Sequence, residues 1–193
     1  RFWSDHAEWR EKTAVLQDAH LDWRKLMNLS NRECFRAVAA GTRKLIERFD
    51  WDGVNLAELY FESLEGHRNP ARFTPMNDDI RREFRKRGGF DPIDVFTPSS
   101  VRYFENNRAA LRTFLDFRAE QSQRIQVEWI VEMEAIRDGK PDLDLVFTHV
   151  DDRFDGRMRD ALGADAAGLL SHPGSRTVTF LVEDPATVWN LGP

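Results

Sequence analysis

Three short apolar runs in this sequence end in carboxylates. Residues 54–61 carry Glu58 and lead to Glu62. Residues 143–150 lead into Asp151 and Asp152, and 177–182 lead into Glu183 and Asp184. Grouped carboxyls suit glycoside hydrolysis, in which one protonates the leaving oxygen and another acts as nucleophile or base. A separation of about 5 Å gives retention and about 6.5–9.5 Å gives inversion. Glu58 stands out because it is a lone charge within Leu56-Ala57-Glu58-Leu59-Tyr60, and a charge among apolar neighbours needs a reason. Partial desolvation there would favour the protonated form that a general acid needs. Glu58 is therefore the expected acid/base, Glu183 its favoured partner, with Asp184 and Asp152 behind. The competing reading is that acids after strands cap the next helix or solvate a loop, and Asp151-Asp152 is the most turn-like pair. His149, Asp151 and Asp152 also offer one nitrogen and two oxygens to a metal. However, the spacing matches no specific signature, and His149 alternates with Phe147 and Leu145 as a core residue would. No metal ligand is assigned. Dinucleotide, P-loop, zincin and nucleophile-elbow motifs are absent, so no cofactor is assigned either. Gly88-Gly89 reads as a helix stop.

These acids have to be positioned by the elements around them. Phe35, Val38, Ala39, Thr42, Leu45, Ile46 and Phe49 recur at helical spacing, which predicts a helix over 31–49. Ser30-x-x-Glu33 before it has the form of a capping box. A long helix is expected over 101–138, stopped by Gly139 and Pro141. Shorter helices are expected over 78–87, 92–96, 155–162 and 165–170, and one near 5–17. The runs 54–61, 143–150 and 177–182 read as strands, the first nearly continuous in apolar character, as a parallel strand covered on both faces would be. Strands alternating with helices make βα units and a parallel sheet. Right-handed crossovers then place all three strand C-termini at one edge, where such folds bind ligands. The stretch 62–100, rich in Pro, Gly, Asn and Arg, is far longer than an ordinary βα connection, and such loops are usually functional.

Composition narrows the classes. The chain has 193 residues, 41% hydrophobic, with 14 Phe and 6 Trp, which excludes a disordered chain. A net charge of −5 lacks the basic footprint of a nucleic-acid binder. No run approaches the roughly 18 apolar residues of a membrane helix, so no membrane span is expected. The one cysteine excludes an intrachain disulfide and any Cys-rich zinc site. Aromatics add a softer clue, since sugar faces stack on Trp and Tyr; Trp3, Trp9 and Trp23 lie in a segment with no amphipathic period to bury them.

The residues also resemble a known group. Asn28-Leu29-Ser30-Asn31, a helix, and then Phe49-Asp50-Trp51-Asp52-Gly53-Val54-Asn55-Leu56 is similar to the helix-to-"DGih-x-D" strand segment of glycoside-hydrolase-like (β/α)8 barrels. Arg87-Gly88-Gly89-Phe90-Asp91-Pro92 and the run 114–121, Phe-Leu-Asp-Phe-Arg-Ala-Glu-Gln, resemble further segments of such enzymes. The resemblance spans most of 23–152. It implies an α/β fold of parallel βα units and a carbohydrate substrate; it slightly favours an exported or periplasmic setting, while the location itself stays open. The acid that ends the "DGih-x-D" strand falls at Ala57 here, with Glu58 next. A whole barrel of this type has about 250 residues. With three strands and Arg1 in place of an initiator Met, residues 1–193 are expected to form one partial barrel domain of a longer chain. Asn55, Tyr60, His67, Arg118 and Trp189 are the expected substrate contacts. A catalytically silent carbohydrate-binding barrel is the alternative, supported by Ala57. A metal-dependent hydrolase using His149, Asp151 and Asp152 is the second.

Overall fold

The computed structural model describes residues 1–153 and 156–188. Helix α1 (Phe2–Asp5) and a 3-10 turn (Ala7–Trp9) precede a small antiparallel hairpin, β1 (His20–Leu21) and β2 (Arg24–Lys25). The helix expected near 5–17 does not form. Residues 10–13 instead run extended beside the hairpin, with bridges Arg10 to Met27 and Lys12 to Asp18. Side chains stack where a helical period is missing: the His6 and Trp9 rings lie 4.1 Å apart, and the Arg10 guanidinium sits 4.0 Å over Trp3.

Helix α2 (Arg32–Arg48) forms where the apolar period predicts it, burying Phe35, Ala39 and Ile46. Its cap is one residue later than the capping box implies. Asn31, at φ −74°, ψ 122°, accepts from the Glu33 and Cys34 amides, both at 3.0 Å. An Asn side chain reaches these amides from the cap position as well as a Ser does. The chain then enters β3 (Gly53–Ala57). This strand is shorter than expected because Glu58 adopts φ +57°, which turns the backbone out of the sheet.

The long stretch before the next large helix carries a 3-10 turn (Gly66–Arg68), α3 (Asp78–Gly88) and a second 3-10 segment (Pro92–Phe96). Gly89, at φ +77°, ends α3 as a left-handed cap, so Gly88-Gly89 is the helix stop read from the sequence. Helix α4 (Arg108–Arg137) has 30 residues and is about 45 Å long at 1.5 Å per residue. Residues 101–107 are turns rather than its first two turns, and Asn107 caps it through the Ala110 amide. Its first half packs Phe114 and Phe117 against Phe73, Phe84 and Phe96. Its second half lays Ile125, Trp129, Met133 and Ile136 over α2 and the sheet. β4 (Asp144–Val150), α5 (Arg157–Leu162), α6 (Ala166–Ser171), β5 (Thr179–Glu183) and α7 (Pro185–Val188) complete the described order.

The sheet order is β3-β4-β5, with both pairs parallel. The protein is thus an α/β structure in which the three strand C-termini share one edge. Val54, Leu56, Leu145, Phe147 and Phe180 face α2, α4 and α6. The opposite face carries the rows Asn55–Val146–Thr179 and Ala57–Thr148–Leu181. On it Asn55, Ala57, Thr179 and Leu181 are exposed.

Candidate functional site

The site is assembled at the shared strand edge. Glu58, the first residue after β3, leaves the sheet through its left-handed turn. Its side chain is 41% exposed, and its Oε2 lies 2.9 Å from a guanidinium nitrogen of Arg24. The second nitrogen of the same guanidinium pairs with Glu62. Arg24 belongs to β2, so the N-terminal hairpin reaches across the sheet edge and clamps two acids at once. The dry surroundings expected for Glu58 are therefore not found. A paired, part-exposed carboxylate suits a charged role better than that of a proton donor.

Tyr60 feels the charges of acids at two strand ends. Burial, then the charges of Glu58 and Glu183, push its phenol far above the usual range, and Arg24 pulls the other way. Glu183, the last residue of β5, sits in the row of Val150. Its Oε2 is buried and has no hydrogen-bond partner among the described residues. The His149 ring lies edge-on to Tyr60 at 6.1 Å. His149 is buried, its Nδ1 donates to the Val150 carbonyl at 2.6 Å, and burial pushes its pKa down, so the ring is neutral. Two adjoining hollows open here, of about 280 and about 170 Å³, and Glu58, Tyr60 and Glu62 line both.

The remaining expected residues have other neighbours. Asp152 accepts from the Ala166 amide at 2.7 Å and helps open α6. Asp184 accepts from the Ala186 amide at 3.0 Å at the start of α7. Asp151 is gripped by Arg153, which holds its carboxyl below the usual range. The helix-capping role weighed for acids after strands thus describes Asp152 and Asp184. Asn55 lies on the open sheet face and accepts from the Thr148 hydroxyl at 2.9 Å. His67 lies in a different cleft, with Arg68 and Arg108. Arg118 is 0% exposed and makes four hydrogen bonds to other parts of the chain. Trp189 lies outside the described residues. Among the described residues no group of three His, Cys, Asp or Glu side chains is arranged to hold a metal ion.

Two site residues carried no signal in the sequence. Arg24 sits in a charged, Trp-flanked run indistinguishable from any exposed turn. Glu11 lies in an equally polar run, yet it is 6% exposed and lines the larger hollow. Comparison with family models, with curated proteins and with solved structures finds no match.

Proposed function

We propose that this chain is a carbohydrate-active module of the (β/α)8-barrel type that hydrolyses a glycosidic bond at the C-terminal edge of its parallel sheet. One observation carries the reading: Glu58 follows the first and Glu183 ends the third of three parallel strands, so both acids stand at one sheet edge, where Glu58, Tyr60 and Glu62 line two adjoining hollows. The sequence resemblance to glycoside-hydrolase-like barrels points the same way. The Arg24 ion pair suits Glu58 to the charged role of nucleophile or base. Glu183, with an oxygen left unpartnered in a buried setting, suits the proton donor. Tyr60 would orient the pair.

A silent carbohydrate-binding module is the second reading. It is favoured by Ala57 at the strand end and by Arg24 occupying Glu58 and Glu62 together.

The test is a panel of chromogenic glycosides with the protein and its variants. Glu58→Gln and Glu183→Gln should each lower turnover by about 10²–10⁴-fold while sugar binding persists. Asp184→Asn should leave turnover within about twofold, because that side chain serves a helix start. Binding without turnover in the unaltered protein would establish the silent module instead. Turnover that survives both Gln substitutions would refute the assignment of the pair.

A further inference from the structure

A second cleft, of about 440 Å³, is lined by His67, Arg68, Tyr103, Phe104, Glu105 and Arg108. Its two walls come from the turn Gly66–Arg68 and from the residues that lead into α4, the two ends of the long connection between β3 and α4. The turn packs on α5, which follows β4.

Three features of this cleft go together. First, Arg68 and Arg108 make no ion pair or side-chain hydrogen bond among the described residues. That is unusual in this protein: carboxylates outnumber Lys and Arg by 33 to 28, and most other arginines are paired. Glu105 lines the same cleft without pairing to either. Second, the cations act together on His67. Burial first, then Arg68, with Arg108 and Arg118 behind, lower its pKa, and Asp160 is the only group opposing them. Third, the floor is aromatic. The His67 ring meets Phe104 edge-on at 5.2 Å, and Phe104 lies 4.6 Å from Tyr103.

An aromatic floor takes the apolar face of a ring, and two unpaired guanidiniums recognise a planar oxyanion in bidentate fashion. Glu105 beside them can accept from ring hydroxyls. We propose that this cleft is a subsite for an acidic sugar residue, in which Arg68 and Arg108 hold the sugar carboxylate and Tyr103 and Phe104 support its ring. The sugar class rests on the carbohydrate reading above; the anion recognition does not. The subsite makes the substrate an acidic polysaccharide.

Calorimetric titration tests this with three probes: a galacturonic acid trimer, a galactose trimer and inorganic phosphate. The acidic trimer should bind at least tenfold more tightly than the neutral one. Its affinity should fall with added salt, because exposed charges are screened over about 8 Å at physiological ionic strength. Both arginines are exposed, so Arg68→Gln with Arg108→Gln should leave the fold intact and erase the preference. The paired Lys substitutions should restore part of it. Equal binding of the two trimers, or a preference untouched by the double Gln variant, would overturn the proposal. Phosphate binding as tightly as the acidic trimer would also overturn it, by showing a generic anion site. Glycoside cleavage without acidic preference would remove the subsite alone. Acidic-trimer binding without cleavage would keep the subsite and remove hydrolysis.

Discussion

At the scale of single residues, Arg118 shows how far burial can redirect a charged side chain. Its Nε donates to Thr74 O at 2.7 Å, one terminal nitrogen to Asp160 O at 2.9 Å, and the other to Ala161 O at 3.1 Å and Ser63 Oγ at 3.3 Å. The guanidinium also lies 3.9 Å over the Phe73 ring. Among the described residues no carboxylate pairs with it, and burial pushes its pKa down to about 9, so it stays charged at neutral pH. It ties α4, the stretch after β3 and the end of α5 into one body, which is structural work and not substrate contact. Arg118→Met removes the guanidinium donors to the Thr74, Asp160 and Ala161 carbonyls, two of these bonds being fully buried. It should cost on the order of 3–5 kcal/mol in denaturant unfolding. Arg118→Lys should recover little, because an ammonium cannot span the fork. A loss below about 1 kcal/mol for the Met variant would show that water replaces the guanidinium.

At the scale of elements, the N-terminal hairpin and the extended segment 10–13 beside it together contribute the Arg24 clamp and a buried acid. The Glu11 amide donates to Leu26 O at 3.0 Å and its carbonyl accepts from Ala19 at 2.8 Å, so Glu11 is locked at the centre of this element. Its side-chain Oε1 has no hydrogen-bond partner among the described residues. Burial raises its pKa from 4.5 to about 7, against the weaker pull of the Thr74 hydroxyl and the Arg118 charge. Between those two values the folded protein holds a proton that the unfolded chain releases. Stability from this group is therefore complete below about pH 4.5 and declines as pH rises through about 7. A shift of that size corresponds to about 3 kcal/mol. Urea unfolding at pH 4.5 and 7.5 should show wild-type stability falling relative to Glu11→Gln across that interval. A gap between the two proteins that does not change with pH would mean that Glu11 is already ionised in the fold.

At the scale of the whole molecule, the sheet is covered unequally. Helices bury one face, while Asn55, Ala57, Thr179 and Leu181 are exposed on the other, and Leu181 is 51% exposed. Parallel sheets are ordinarily covered on both faces, and apolar side chains beside an open strand edge favour association. Leu181→Thr should leave unfolding stability within about 0.5 kcal/mol and lower the aggregation rate of the protein on heating. A loss of 2 kcal/mol or more would show that Leu181 is packed in solution.

The sequence by itself determined the parts that depend on near neighbours. The period of Phe35, Ala39 and Ile46 placed α2, Gly88-Gly89 closed α3, and alternation of apolar runs with helices implied a parallel sheet with its acids at one edge. Each of these follows from a repeat of two or 3.6 residues, or from a turn residue that acts locally. Tertiary structure decided the rest. The left-handed turn at Glu58 shortened β3, and that acid met a cation 34 positions earlier in the chain. Arg118 became a buried clamp only because Thr74, Asp160 and Ala161 converge on it from 42 to 44 positions away. The helix expected near 5–17 gave way to an extended segment because its stabilising partners, Leu26, Met27 and Asn77, lie outside that window. Burial and charge pairing are properties of groups brought together across the fold, and no window of adjacent residues contains them.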